Sequence, residues 1–193
     1  SKPSLPLFNN GSAQTIAINV SSSEFPINLT FLIYNSTGSI VNTQGAFIIN
    51  STTNLPFNYT IPAGLADGNY TLNMTATDRA SNTNTTALGN FTIDTSRPSI
   101  TNATSSPPLP LFNNGSAQTL AINVSSSEFP INITFTLYNS TGGTITTQGP
   151  TTINTSSQLP INFTIPASLA DGNYTLNMTA TDRSGNTNTT ALG

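Results

Sequence analysis

The sequence contains one long internal repeat, and this repeat limits the chain to folds that a short unit can form by itself. Residues Leu5–Gly89 align without gaps on Leu109–Gly193, and 65 of the 85 aligned positions are identical. Units this similar adopt one fold, and their length is that of a small domain. We therefore predict two domains, residues 1–97 and 98–193, with a linker rich in Ser, Thr and Pro at about residues 97–108.

Each unit alternates apolar and polar residues with a period of two. The run Ile16-Ala17-Ile18-Asn19-Val20 is one example, and the pattern recurs at residues 27–33, 57–61 and 70–77. Turn-forming dipeptides such as Asp67-Gly68 separate the runs, and no stretch shows a helical period. Short half-buried strands at regular spacing are typical of an antiparallel sandwich. The predicted fold is all-β, with two tandem immunoglobulin-like β-sandwich domains.

Two tyrosines support the immunoglobulin-like prediction. In this fold a tyrosine near the start of strand F forms the tyrosine corner, two residues before the second cysteine. Tyr70-Thr71-Leu72 and Tyr174-Thr175-Leu176 match that spacing with leucine in the cysteine position, although each tyrosine is also compatible with an ordinary strand residue. The chain has no Cys and no Trp, so no disulfide is possible, and Phe31 and Phe135 are expected to replace the usual core tryptophan.

Twenty of the 26 asparagines lie in Asn-x-Ser/Thr sequons, whereas the 57 Ser and Thr residues would produce about 8 by chance. Strands rich in Asn and Thr account for part of this excess. The repeat comparison favours selection, because none of the 20 aligned differences destroys a sequon. For example, Asn50-Ser51-Thr52 becomes Asn154-Thr155-Ser156.

We therefore predict N-glycosylation, with no cofactor other than these covalent glycans. The predicted acceptors are Asn10, Asn19, Asn28, Asn35, Asn50, Asn58, Asn69, Asn73, Asn84, Asn90, Asn102, Asn114, Asn123, Asn132, Asn139, Asn154, Asn162, Asn173, Asn177 and Asn188.

The expected geometry places these acceptors on the surface. Residues i and i+2 of a strand share a face, so each Asn and its Ser or Thr should point outward while the middle residue points to the core. Only 6% of the residues are charged, far below the usual quarter. Sugars would supply the solubility that surface charge normally provides.

Composition argues against several functions. The chain has no His and no Cys, so the usual nucleophile–base pairs and zinc sites are impossible, and we predict neither an enzyme nor a metal site. Asp78 and Asp182 each precede an arginine and indicate a turn or a structural ion pair. A calcium site from Asp78 and Asp94 is the weaker alternative. The small number of carboxylates predicts an acid-tolerant fold.

Two classes of partner are also not expected. The net charge is -3 and no basic patch occurs, so nucleic acid is a poor partner. No apolar run approaches the roughly 20 residues of a membrane helix, so no membrane span is expected in this segment.

The second unit is expected to lack the end of its last strand. The first unit closes with Asn90–Asp94, and the sequence of the second stops at Gly193, where that strand should continue. Two explanations stay open: a section of a longer array, or a slot that a strand from another subunit fills. Such strand addition is head-to-tail and produces filaments. The best candidate for the donor strand is Ser4–Phe8.

The segments Asp67–Asp78 and Phe91–Thr95 resemble the bacterial and archaeal Ig-like repeats of large surface proteins. The sequon density is similar to that of glycosylated archaeal thread-type filaments, which assemble by donor-strand complementation. Thread subunits have one domain and a donor tail, and this chain departs from them in having two near-identical domains.

The resemblance implies an extracellular, cell-surface scaffold for adhesion and biofilms, with copies of itself, and other surface proteins or glycans, as partners. Two alternatives stay open: a tandem Ig-like adhesin or carbohydrate-binding module, and spacer repeats of a larger secreted protein.

Overall fold

The computed structural model describes residues 7–51, 56–112, 115–156 and 159–193. The chain divides into two compact units, Ser1–Thr95 and Ser96–Gly193. The described residues contain β-strands and no α-helix, as the period-two pattern predicts. Both units have the predicted immunoglobulin-like sandwich architecture, with two facing groups of strands around one apolar core each.

Seven strands belong to unit 1. The larger sheet has the order β1-β7-β6-β3-β4, and β2 pairs with β5 in the smaller one. The strands are β1 (Leu7–Asn9), β2 (Gln14–Ile18), β3 (Ile27–Asn35), β4 (Ile40–Ile49), β5 (Phe57–Ile61), β6 (Gly68–Thr77) and β7 (Thr83–Ile93).

Unit 2 repeats this plan with a four-stranded sheet, β11-β10-β13-β14, and a three-stranded sheet, β12-β9-β8. The strands are β8 (Ile100–Ser106), β9 (Gln118–Ser126), β10 (Ile131–Asn139), β11 (Thr144–Ile153), β12 (Ile161–Ile165), β13 (Tyr174–Thr181) and β14 (Thr187–Ala191). In the repeat alignment β14 corresponds to the first part of β7.

The cores consist of the inward residues of the predicted alternation. Phe31 is fully buried and contacts the rings of Phe47, Phe57 and Tyr59. In unit 2, Phe135 is buried against Phe163. Both phenylalanines thus fill the core position predicted for them, and aromatic packing replaces the disulfide and tryptophan of antibody domains.

The tyrosine corner is confirmed in both units. The Tyr70 hydroxyl donates a hydrogen bond to the carbonyl of Ala66 at 2.7 Å, and the Tyr174 hydroxyl donates to the carbonyl of Ala170 at 2.9 Å. Each bond ties the start of a central strand to the turn before it. This contact fixes where β6 and β13 begin, and hence which of their residues face outward.

Glutamine side chains protect one edge of each sandwich. The Gln148 amide donates to the carbonyl of Thr164 at 2.7 Å and accepts from its N–H at 3.1 Å, so it pairs with the open side of β12. In unit 1, Gln44 donates to the carbonyl of Thr60 at 3.2 Å. Strand edges closed in this way are poor templates for pairing with another chain.

Two sequence predictions need correction. Residues 100–106, which we assigned to the linker, form β8 and pair with β9, because Ile100 and Ala103 pack against the core of unit 2. The proposed free donor segment Ser4–Phe8 also fails where it is described, because Leu7 and Phe8 belong to β1 and pair with β7 in the same unit. Residues 4–6 lie outside the described residues.

Loss of the hydroxyl should change the free energy of unfolding in opposite directions at two tyrosines of unit 1. Tyr70→Phe removes a hydrogen bond and should lower the free energy of unfolding by about 1 kcal/mol. Tyr59→Phe removes a buried hydroxyl that has no hydrogen-bond partner among the described residues, and it should raise the free energy of unfolding by about 1 kcal/mol. Phe163 already occupies the corresponding position in unit 2. Urea unfolding of the chain measures both changes, and equal losses in the two variants would contradict this account.

Candidate functional site: the sequon surface

The predicted acceptor asparagines lie at the surface. The structure describes the side chains of 18 of the 20; Asn114 lies outside the described residues and the side chain of Asn102, in β8, is not described. Twelve are exposed, six are partly buried and none is fully buried. The partly buried ones are Asn35, Asn73, Asn132, Asn139, Asn177 and Asn188.

Nine sequons have the predicted strand geometry, with a surface Asn followed by a buried middle residue. Asn58-Tyr59-Thr60 is an example, because the Tyr59 ring is in the core while Asn58 and Thr60 are exposed. The nine acceptors are Asn28, Asn58, Asn69, Asn73, Asn90, Asn123, Asn132, Asn162 and Asn177. The alternation that builds the core therefore also displays these amides.

Asn84 and Asn188 do not have this geometry. Asn84 pairs with Ala76 and Asn188 with Ala180, on the inward-facing rows of the central strands. Asn84 is exposed, but the Asn188 amide nitrogen donates to the carbonyl of Pro98 at 2.9 Å. The expectation of outward display is wrong for this pair, because their middle residues are threonines and the sequence pattern gives no apolar anchor there.

Most hydrogen bonds of the sequon amides use the carbonyl oxygen. The Thr92 hydroxyl donates to Asn69 Oδ1 at 2.8 Å, Thr71 donates to Asn90 Oδ1 at 3.0 Å, and Thr152 donates to Asn132 Oδ1 at 2.7 Å. Such bonds hold the amide by its oxygen. The nitrogen, to which an N-linked glycan would attach, takes no part in these three hydrogen bonds.

The two sequon asparagines in the hairpins, Asn35 and Asn139, also accept hydrogen bonds through the side-chain oxygen. Asn35 Oδ1 accepts hydrogen bonds from the N–H and hydroxyl of Thr37 and from the N–H of Ser39, all between 2.7 and 3.1 Å. Asn139 does the same with Thr141 and Gly143. These asparagines have a structural role in the turn, and that role also leaves Nδ2 available.

Three asparagines outside sequons, Asn9, Asn82 and Asn186, use their nitrogen instead. Asn9 Nδ2 donates to the carbonyl of Ser12 and to Gln14 Oε1. Asn82 Nδ2 donates to Asp78 Oδ2 at 2.7 Å, and Asn186 Nδ2 donates to Asp182 Oδ2 at 2.9 Å. The difference in which amide atom is engaged is a chemical distinction between the two groups, and Asn188 is the sequon member that resembles the second. No pattern in the sequence predicted it.

Asp78 and Asp182, for which the sequence predicts a turn or a structural ion pair, each close a loop. Asp78 accepts from the N–H of Asn82 at 2.8 Å as well as from its side chain, and Asp182 does the same with Asn186. The predicted turn is therefore present in both units. Hydrogen bonds from the Asn82 side chain and backbone lower the pKa of Asp78 below its usual value.

Unit 2 contains an apolar groove whose lining residues the sequence pattern did not predict. Its volume is about 720 Å³, and its lining includes Leu109, Leu120, Leu137, Tyr174 and Leu176. Tyr174 corresponds to Tyr70 of unit 1, on which Phe91 of β7 stacks with ring centroids 5.3 Å apart. The groove therefore lies where unit 1 has the end of β7.

Comparison with known proteins gives a family and a fold. The bacterial Ig-like domain family matches residues 16–95 and 116–193, and no curated protein sequence matches the chain. The fibronectin(III)-like modules of Clostridium thermocellum CbhA superpose with a TM-score of 0.52 at 15% identity, over 96% of this chain and 85% of theirs. Among the described residues there is no helix of the length and hydropathy that crossing a membrane requires.

Two further structures are more distant. Chicken CNTN1 domains FN1–FN3 give a TM-score of 0.46 at 11% identity, over 96% of this chain and 64% of that one. A tetra-tandem repeat from the extending region of a large adhesion protein gives 0.35 at 19% identity, over 94% and 49%.

Asn188 should carry less glycan than Asn84, its counterpart in the first repeat. A sugar on Asn188 would disturb the hydrogen bond to Pro98 and would have to emerge from a partly buried site, whereas Asn84 is exposed. Site-resolved mass spectrometry of the native protein compares the two occupancies. Higher occupancy at Asn188 would show that the position of Nδ2 does not govern modification.

Stability should change little between pH 7 and about pH 4. The pKa of Asp78 is lowered on folding, so its stabilising contribution is present above the ordinary aspartate pKa and is lost only as the pH falls through the lower, folded-state value. Scanning calorimetry at successive pH values tests this. A fall in Tm of more than about 5 °C between pH 7 and 5 would contradict it.

Proposed function

Because the chain belongs to the bacterial Ig-like domain family, with two tandem copies, we propose that it is a non-catalytic segment of an extracellular, N-glycosylated surface protein. Its task is to form a stalk or scaffold whose outer surface is carbohydrate. Tandem sandwiches supply length and rigidity, and bound sugars supply solubility. The observation that carries the proposal is that none of the 18 described sequon asparagines is fully buried. In Asn35, Asn69, Asn90, Asn132 and Asn139 the hydrogen bonds engage Oδ1 and leave Nδ2 free of them.

The small number of charged residues supports the same role. A surface with only four Lys and Arg and seven Asp and Glu has little charge to oppose association between copies. Exposed apolar residues increase the problem, since Ile48 is 63% exposed on the edge strand β4. Glycans next to such positions, for example on Asn28, which pairs with Ile48, would cover them.

From this chain, transfer of a glycan by a glycosyltransferase requires an accessible asparagine amide within a sequon. The Asn Nδ2 attacks the anomeric carbon of a sugar that is activated as a lipid-linked phosphate. The carbon–oxygen bond to phosphate breaks, the phosphate leaves with the electron pair, and the nitrogen loses one proton. The Ig-like units contribute a rigid sheet that fixes where each glycan emerges.

Loss of the sugars should lower solubility without unfolding the chain. The bare chain, made in a host that does not glycosylate it, should retain its β-rich circular dichroism but precipitate at a lower ammonium sulfate concentration than the native glycoprotein. Exchanging the exposed Asn19, Asn58 and Asn162 for Asp should restore part of the solubility, because charge then replaces sugar. If the bare chain is as soluble as the native glycoprotein, the sugars do not provide solubility and the proposed role of the carbohydrate is wrong.

We propose head-to-tail assembly into filaments as a second candidate function, in which a strand from another chain would lie in the groove of unit 2. In unit 1 the corresponding space contains Phe91 and Ile93, both about 1% exposed, in register with Tyr70 and Gly68. A strand with two apolar residues at positions i and i+2 would fit the groove and pair with β13.

A synthetic peptide of residues 88–95 should bind the groove and dissociate assemblies of the chain. A control peptide with Phe91→Ser and Ile93→Ser should do neither, because it lacks the apolar side chains that the groove accepts. Fluorescence anisotropy measures binding, and analytical ultracentrifugation measures assembly. A chain that stays monomeric at all concentrations, whether or not the peptide binds, contradicts the filament proposal.

A further inference from the structure

The sequons at Asn69 and Asn90 lie face to face. In the β6–β7 register Asn69 pairs with Thr92, Tyr70 with Phe91, and Thr71 with Asn90. The two middle residues point inward, and their rings stack 5.3 Å apart at an interplanar angle of 18°. Both acceptor amides and both sequon threonines are therefore on the outward side of one strand pair.

Each sequon holds the amide of the other. The Thr92 hydroxyl donates to Asn69 Oδ1 at 2.8 Å, and the Thr71 hydroxyl donates to Asn90 Oδ1 at 3.0 Å. This reciprocal arrangement restricts the rotation of both amides. Each Nδ2 therefore has a defined position relative to the other, instead of a wide range of side-chain orientations.

The two amides share one depression in the surface. Its volume is about 340 Å³, and Ser36, Asn69, Thr71, Asn90 and Thr92 contribute to its lining. Asn69 and Asn90 are diagonal neighbours across the strand pair, a relation in which Cα atoms are about 7–8 Å apart. Both amides open onto the same limited space, and polar groups of Ser36, Thr71 and Thr92 are available there to a sugar hydroxyl.

We propose that Asn69 and Asn90 form one composite acceptor site that carries a single N-linked glycan, on one or the other nitrogen but not on both. This inference rests on the proposed glycosylation of the surface. Attachment follows the same displacement of phosphate from a lipid-linked sugar, once per site. The first sugar occupies the shared depression, and its bulk blocks attachment at the second amide.

Mass spectrometry with fragmentation that assigns each sugar to one asparagine tests the composite site. Trypsin cleaves at Arg79 and separates Asn69 from Asn90, and fragmentation then distinguishes each of them from the other sequons on its peptide. In the native glycoprotein the occupied fractions at Asn69 and Asn90 should sum to no more than one. Asn69→Gln should raise the fraction at Asn90, up to about twofold if the two sites share the glycan equally. Asn90→Gln should raise the fraction at Asn69 in the same way.

One further variant is the control. Asn28→Gln, on the outward face of β3, is the matched control and should change neither fraction. Circular dichroism establishes that each variant is folded.

The outcomes separate this inference from the proposed function. Fractions that sum to more than one, or an Asn90 fraction that Asn69→Gln leaves unchanged, overturn the composite site. Sugars on other sequons with neither Asn69 nor Asn90 occupied also overturn it. A native chain without sugar at any sequon removes the proposed function itself.

Discussion

The register of the central strands decides both what this molecule buries and what it displays. β6 lies between β3 and β7, and each of its residues from Asn69 to Thr77 pairs with a partner on at least one side. A slip of one residue would turn Leu72 and Met74 to solvent and the acceptor asparagines into the core. The tyrosine corner anchors the start of this strand, so a single hydroxyl-to-carbonyl contact helps to set the positions of the surface amides.

The register of the central strands places the sequons on the surface. The surface rows of these strands consist largely of Asn and Thr, and the chain has few charged residues. A surface row that alternates Asn and Thr beside an apolar row gives a stable sheet, yet it offers little electrostatic repulsion between copies. Threonine hydroxyls hold several sequon amides by their oxygen, which leaves the nitrogen outward. The threonines of neighbouring sequons thus serve as positioning residues on the folded surface, in addition to completing the acceptor motif.

The repeat and the period-two pattern were sufficient to predict the sandwich, the tyrosine corner and the buried Phe31 and Phe135. They did not predict β8, because a Ser-, Thr- and Pro-rich composition is typical of linkers and only tertiary contacts of Ile100 and Ala103 reveal a strand. They also misplaced Asn188, since a run of polar residues does not show which face of a strand is inward. Whether a strand asparagine is hydrogen-bonded through Oδ1 or through Nδ2 depends on its cross-strand partners, and no local motif specifies those partners.

We propose that the outward asparagines carry carbohydrate while the inward rows fill the two cores. As bare polypeptide the 193 residues have a mass of 20.1 kDa. The most direct measurement is the mass of peptides covering this segment, prepared from the native protein. We expect carbohydrate mass on the peptides that contain Asn19, Asn28, Asn58, Asn123 and Asn162. Unmodified peptide masses at all of these positions would contradict it.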